Sequence, residues 1–489
     1  MAEIEERAHR LAKLQAMTEA GIDVYPARTM RTHTTREVLH HFDAWSEEVK
    51  SLTIVGRIKL IRRHGGSTFA HVEDGSDAMQ IFLSRDEVGS EAYDHFSDQL
   101  DPGDFIEATG TLFLTKKGER TLHVKSFRLL SKALLPLPEK WHGLSDVEVR
   151  YRQRYLDLIA NPEIRSVFAA RSAIIKTMRH FFEAQGFMEV ETPTLQTIPG
   201  GALARPFATH HHALDTEMFL RVAPELFLKR LIVGGYERVF EFARCFRNEG
   251  IDHTHNPEFT MLEAYMAYAD YEDLMRLVEA LFVSIGRDIF QDGKIEFDGT
   301  AINLVAPFAR VSFREAILQA AQLDLDSCPT AKDLAYEAEK RGIAVDSTMG
   351  KGKIADELYK KFVRASIVQP TFVVDYPVEL SPLAKRKSGN PAYVERFQLV
   401  MAGAEVVNAF SELNDPIDQL ARFEDQQRNK EQGDDEAHPI DMDYVTALEH
   451  GMPPTAGLGI GVDRLISLLT NSHSLKEVIL FPTLRPKSE

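Results

Sequence analysis

The sequence predicts an α+β protein in two main parts, a small closed β-barrel followed by a larger domain built on an antiparallel sheet flanked by helices. Three observations carry that expectation. Five β-type runs crowd into residues 51–132, separated by turn residues such as Gly65-Gly66, Asp74-Gly75 and Asp101-Pro102-Gly103. Beyond residue 151, helical and strand patterns mix without the regular alternation of a doubly wound sheet. Finally, two later segments, 239–249 and 457–464, alternate at strand period and gather their polar or glycine positions on one face.

Taken in order, residues 1–50 read as a helical extension, with Ile4, Ala8, Leu11 and Leu14 at helical spacing and Arg7, Arg10 and Lys13 between them. That basic helix either touches RNA or is a solvated surface helix. Residues 51–135 carry the runs 52–60, 68–73, 78–83, 104–115 and 120–130, the pattern of a five-stranded barrel such as the OB-fold. Pro136-Leu137-Pro138 opens a linker, set at 136–165, and residues 166–489 form the large domain.

Composition bounds the function. A chain of 489 residues needs more than one core, and 44% hydrophobic with 27% charged residues describes a globular protein. No apolar run reaches the length of a membrane span, and Glu3, Glu5 and Glu6 argue against a targeting leader, so a cytoplasmic protein is expected. Two cysteines, Cys245 and Cys328, are too few for a disulfide framework or a structural zinc site. A net charge of −17 means that any RNA surface must be a local basic patch.

Chemistry concentrates in two places. In strand geometry Val239, Glu241, Ala243, Cys245, Arg247 and Glu249 share one face, and Phe240, Phe242 and Phe246 the other. The return run puts Phe259, Met261, Glu263 and Tyr265 in register, so a hairpin would display an arginine, carboxylates and aromatics over one floor. Near the C-terminus, Gly457, Gly459 and Gly461 alternate with Leu458, Ile460 and Val462. Three glycines on one strand face indicate that something else lies against the backbone there. A buried helix follows from about Arg464.

These strings resemble a known family. Phe246-Arg247-Asn248-Glu249 is similar to motif 2 of the class II aminoacyl-tRNA synthetases, residues 457–465 to motif 3, and Gly186-Phe187-Met188-Glu189-Val190-Glu191-Thr192-Pro193 to motif 1. Arg221-Val222-Ala223-Pro224-Glu225-Leu226, His255-Asn256-Pro257-Glu258-Phe259-Thr260, Ser411-Glu412-Leu413-Asn414-Asp415-Pro416 and Gly433-Asp434-Asp435-Glu436-Ala437 narrow the resemblance to the lysine-activating branch of the Asp/Asn/Lys subgroup.

The resemblance implies adenylate formation from L-lysine and ATP with Mg²⁺, then transfer to tRNA(Lys). Such a step needs charge neutralisation and positioning more than a protein nucleophile. By resemblance, Arg247 bridges the lysine carboxylate and the α-phosphate, Phe259 and Arg464 sandwich the adenine, and Glu249, His255, Asn256, Glu405 and Gly461 complete the nucleotide site. Glu412 and Tyr265 would hold the ε-ammonium, and Glu225 with the Gly201 backbone the α-amino group. Glu263, Asn408 and Phe410 complete the pocket, since a desolvated ammonium needs acidic partners. On the barrel, Phe69 and Gln80 match the aromatic platform and amide that read the central anticodon base, with Arg57 in a basic cluster beside Lys59, Arg62 and Arg63.

Two departures from the family stand out. Gln398 occupies a position usually held by glutamate, where, with Glu405, related enzymes hold Mg²⁺; an amide oxygen brings less charge to a hard cation. Glu405 is also out of strand parity with Asn408 and Glu412, so a bulge or turn is required if all three face one site. Thr254 stands where many relatives have arginine. Motif 1 implies a homodimer through the helix 168–184 and the strand 187–192; the helix's apolar stripe of Ile174, Met178, Phe181 and Phe182 would by itself serve equally as core. The competing readings are an aspartyl- or asparaginyl-type synthetase and a catalytically silent tRNA-binding paralogue.

Overall fold

A computed structural model describes residues 2–138, 144–202, 204–290, 292–346, 349–431 and 440–486. The acidic string beginning at Gly433 lies outside the described residues. The chain divides into two compact units, one comprising Met1–Ser145 with Tyr155–Asn161, the other Asp146–Arg154 with Pro162–Glu489.

The first unit is a closed barrel of five strands, β1 (Leu52–His64), β2 (Ser67–Glu73), β3 (Ala78–Ser84), β4 (Phe105–Leu114) and β5 (Arg120–Ser131), in the order β1-β2-β3-β5-β4. Alternation sorts its residues: Thr68, Ala70 and Val72 point inward while Phe69 and His71 face out. Gly110 sits at a register shift between β4 and β5, where an added Cβ would lie 1.9 Å from the His123 carbonyl oxygen, so only glycine fits. The amino-terminal helix α1 (Ala2–Glu19) turns Arg10 and Lys13 to the barrel and leaves Arg7 exposed. Buried Arg10 donates to the carbonyls of Pro102, Ala133 and Leu135, and Lys13 pairs with Asp101 at 2.6 Å. Ile4 and Leu11 are exposed while Leu14 packs on the barrel core, so only part of the expected apolar spacing is buried and Arg10 and Lys13 are engaged within the unit.

The stretch expected as a linker is divided between the units. It carries two short helices, Val147–Arg152 and Arg154–Ala160, and buried Arg154 donates to the carbonyls of Lys476 and Leu480.

The second unit is built on eight strands: β6 (Met188–Glu189), β7 (Arg238–Phe246), β8 (Glu258–Ala267), β9 (Ala309–Ser312), β10 (Thr371–Pro377), β11 (Tyr393–Met401), β12 (Ala404–Ser411) and β13 (Thr455–Gly461). Their order is β9-β10-β11-β12-β13-β8-β7-β6, antiparallel except at the two edge pairs. Helices α2 (Ile164–Ala184), α4 (Tyr271–Phe290) and α5 (Val462–Leu469) cover one face, with α3 (Glu225–Val233) on the other. Ile174, Met178 and Phe182 of α2 pack with Phe240, Leu262, Phe282 and Ile460 in that core. That apolar stripe therefore packs on the chain's own sheet. The apolar half of each alternating strand has the same destination.

On the opposite face, helices Phe313–Ala321, Ala331–Lys340 and Lys351–Phe362 roof the β10–β11 end, and α3 with Met442–Glu449 covers the other end around Val239 and Tyr265. The middle of the sheet is left open. No described helix is long and apolar enough to cross a membrane.

Candidate active site

Two adjoining cavities of about 280 and 240 Å³ lie over that open middle, and Arg247, Met261, Asn408 and Gly459 line both. The register explains the convergence. Glu263 pairs with Glu241 on β7 and with Gly459 on β13, and Asn408 pairs with Gly459 from β12, so three neighbouring strands deliver one patch. Arg247 lies just past the end of β7, its amide donating to the Pro257 carbonyl at 2.9 Å. Its guanidinium lies 5.0 Å from the Phe259 ring centre, and its buried Nε has no hydrogen-bond partner. An orphaned buried donor between two cavities is a place for an anion.

The first cavity is acidic. Gly201, Glu225, Glu263, Tyr265, Asn408 and Phe410 line it, and buried Glu412 lies behind Gly457. A Cβ on Gly457 would come within 2.2 Å of Glu412 Oε1 and 2.3 Å of Tyr265 Cε1, so the glycine face of β13 is where these side chains lie against backbone. Gly201, at φ +90°, passes Glu225 and Ala223 where a side chain would collide. Tyr265 donates to Glu263 at 3.2 Å, and Glu412 Oε1 has no donor. Burial, reinforced by the neighbouring Glu225 carboxylate, pushes Glu263 up to about 8 and lifts the Tyr265 phenol well above its usual range. Glu412 is also raised, by burial first, although the Lys229 ammonium opposes the shift.

Three residues that organise this floor were not singled out from sequence. Fully buried Lys229 pairs with Glu225 at 2.5 Å and with Glu412. Burial works against its charge, but the two carboxylates outweigh it and keep the ammonium protonated. Arg221 pairs with Glu241 at 2.6 Å, removing that carboxylate from the set available to a ligand. Arg396 lines the cavity and is fixed by the Asn408 side-chain oxygen, the Leu380 carbonyl and the Ser381 hydroxyl. The i, i+4 spacing of Glu225 and Lys229 was the one available signal for the first.

The second cavity is lined by Glu249, Thr254, His255, Asn256, Phe259, Glu405, Gly461 and Arg464. Asp252 accepts from the Thr254 hydroxyl and contacts His255 Nδ1 at 3.0 Å, so Thr254 orders the loop. Asn256 ties that loop to the C-terminal segment by accepting from the Thr483 amide. Arg464 donates to the Glu405 carbonyl at 3.0 Å. Asp463, buried behind it, accepts from the Thr260 amide at 2.7 Å and pairs with Arg171 at 2.6 Å, fixing β8 against α5.

The bulge that strand parity demands is present. Leu399 pairs with Val407 and Val400 with Glu405, so Val406 is the extra residue, and both Val406 and Val407 reach the core. Glu405 and Asn408 thereby line the same cavity. Gln398 does not join them. It is buried beside the roofing helices, accepts from the Tyr376 hydroxyl at 2.8 Å and lines neither cavity. The Gln398–Glu405 pair thus does not fit a two-ligand metal site, and among the described residues no three His, Cys, Asp or Glu side chains cluster as one.

On the barrel, Phe69 stands on the outer surface, 4.7 Å from the Phe82 ring centre, and Phe82 continues to Phe113 and His123. This is a platform rather than a core. Gln80 shares the outer face but is buried, its amide donating to the Thr121 hydroxyl at 2.9 Å. Arg57 is likewise engaged, with the Gly103 carbonyl and the Phe105 ring.

Comparison with known proteins agrees with the two-part architecture. The family described as tRNA synthetases class II (D, K and N) matches residues 146–485, and the OB-fold nucleic acid binding domain matches residues 52–130. The chain is 51% identical over 484 residues to the lysine–tRNA ligase of Roseiflexus castenholzii, covering 99% of each. It is 51% identical over 480 residues to that of Pelotomaculum thermopropionicum, covering 98% of this chain and 94% of the relative. The Citrobacter koseri lysine–tRNA ligase is 49% identical over 486 residues, covering 98% and 95%.

Proposed function

Because this chain belongs to the class II tRNA synthetases of the D, K and N group, we propose that it activates L-lysine with ATP and transfers it to the 3′ end of tRNA(Lys). One observation carries the amino-acid assignment: the cavity beside Arg247 is lined by the buried carboxylates Glu225 and Glu263, with buried Glu412 against Gly457 of its lining. An aspartate or asparagine pocket needs cationic or amide groups at those positions instead.

In this reading the lysine carboxylate meets the unpartnered Nε edge of Arg247, which also neutralises the α-phosphate in the second cavity. A carboxylate oxygen attacks that phosphorus, the bond to the bridging oxygen breaks, and pyrophosphate leaves. The tRNA ribose hydroxyl then attacks the acyl carbon, loses its proton, and AMP departs. The planar fork of arginine suits both anions, and the cavities hold the reactants in line. Glu412 and Tyr265 take the ε-ammonium, and Glu225 and the Gly201 backbone the α-amino group. Phe259 and Arg464 enclose adenine, with Glu249, His255, Asn256 and Gly461 around the nucleotide. Mg²⁺ accompanying ATP neutralises phosphate charge, and Glu405 is the carboxylate suited to face it. The outer platform around Phe69 stacks anticodon bases. The active species is a cytoplasmic homodimer.

ATP–pyrophosphate exchange across all amino acids, with Mg²⁺ and without tRNA, tests the assignment. Exchange with lysine alone is expected. Exchange driven by aspartate or asparagine would overturn the pocket assignment, and silence with every amino acid would overturn the enzyme reading.

A further inference from the structure

Lys229 is a cation built into the cluster that is proposed to receive a cation. Its side chain is fully buried on α3, one turn after Glu225. Its Nζ lies 2.5 Å from Glu225 Oε1 and contacts Glu412 Oε2, with the rings of Phe410, Tyr265 and Tyr444 5.4 to 6.0 Å away. The opposite oxygen of Glu412 has no partner and lies against Gly457. The ammonium thus takes one oxygen from each of two carboxylates and fixes the direction in which Glu412 presents its other oxygen.

The other cations of the cavity do not do this: Arg396 is held by the Asn408 side-chain oxygen, the Leu380 carbonyl and the Ser381 hydroxyl, and Arg247 lies between the two cavities. Lys229 contacts two of the three buried carboxylates, and truncating it would leave Glu225 and Glu412 without that partner and able to turn. Buried carboxylates are costly unless paired, so an arriving ammonium meets Glu412 in the orientation that Lys229 imposes.

We propose that Lys229 is a specificity-determining positioning residue, an internal counter-ion that orients Glu225 and Glu412 so that the free Glu412 oxygen meets the terminal ammonium of a diamino monocarboxylate. This rests on the lysine-activating reading above. It does not touch the reacting atoms.

The test uses the full chain in the exchange assay, with Lys229→Met and, as a second variant that keeps a hydrogen-bond donor without charge, Lys229→Gln. For both, the lysine KM is expected to rise about 100-fold while the ATP KM stays within twofold, a split that general loss of structure does not produce. Discrimination between lysine and norleucine, which lacks the ε-ammonium, should fall at least tenfold. Because Lys229 acts through Glu412, the double variant Lys229→Met/Glu412→Gln should lose less lysine affinity than the product of the two single losses. A lysine KM within threefold of the parent for Lys229→Gln, a parallel rise in both KM values, or strictly multiplicative losses in the double variant would each overturn the proposal. Absence of lysine-driven exchange in the unmodified chain would instead overturn the functional reading beneath it.

Discussion

Gly457→Ala is the sharpest perturbation the site offers. The new Cβ would lie 2.2 Å from Glu412 Oε1 and 2.3 Å from Tyr265 Cε1, against an ordinary contact of 3.4–4 Å. Both neighbours are nearly inaccessible, at 1% and 3% exposure, so the roughly 1 Å of relief must come from displacing packed side chains. Overpacking of this kind costs about 1–3 kcal/mol of stability. Misaligning Glu412 from an ammonium it should face forfeits a buried ion pair, about 3–5 kcal/mol. At about 1.4 kcal/mol per tenfold, lysine kcat/KM should fall by roughly 10² to several thousandfold. The comparison is Gly461→Ala, whose Cβ would meet only Arg464 Cβ at 3.8 Å. That variant should fold normally and lose ATP affinity while keeping its lysine KM. Steady-state exchange kinetics with each substrate varied, alongside thermal melts, separate the two. If Gly457→Ala melted lower yet kept its lysine KM within threefold, Glu412 would not be a ligand for the amino acid.

Four further outcomes follow from the structure. Glu263, pushed up to about 8 by burial and by Glu225, is mostly protonated in the empty site at pH 7, and an arriving ammonium should expel that proton. Lysine binding should therefore release protons below pH 8 and tighten with rising pH by up to about tenfold per unit, as read by calorimetry in buffers of different ionisation enthalpy. Glu263→Gln should abolish the release. By the same linkage the ligand-free protein loses stability as pH rises from the ordinary glutamate range, about 4.5, to about 8, because the raised carboxyl favours the folded state only while protonated. Asp463→Ala strands Arg171 and the Thr260 amide, and denaturation should show a loss of about 3–5 kcal/mol. Phe69→Ala should weaken tRNA binding by about 1–3 kcal/mol in a filter-binding titration while pyrophosphate exchange without tRNA stays unchanged.

Much of the architecture was legible because strand and helix periods are local. The alternation of Phe240, Leu262, Leu458 and Ile460 against Glu263 and Gly459 gave both faces of the sheet before any contact was known, and parity alone required the bulge now found at Val406. Local pattern misled where a surface needed a partner that only folding supplies. The stripe on α2 has one period whether it meets a second subunit or its own sheet, so the pattern left both open, and it packs on the sheet. Gln398 reads as an available amide oxygen, yet the Tyr376 hydroxyl donates to it.

The sequence by itself determined the alternating strands, the barrel followed by an antiparallel sheet, and which residue types gather at the site, because period and turn chemistry act over a few residues. The tertiary structure alone decided how those charges pair. Lys229 inside the carboxylate cluster, Arg221 on Glu241 and Arg171 on Asp463 join elements distant in the chain or buried faces of one helix. Coulombic pairing at such depth depends on distance and desolvation, and neither is written in the order of residues.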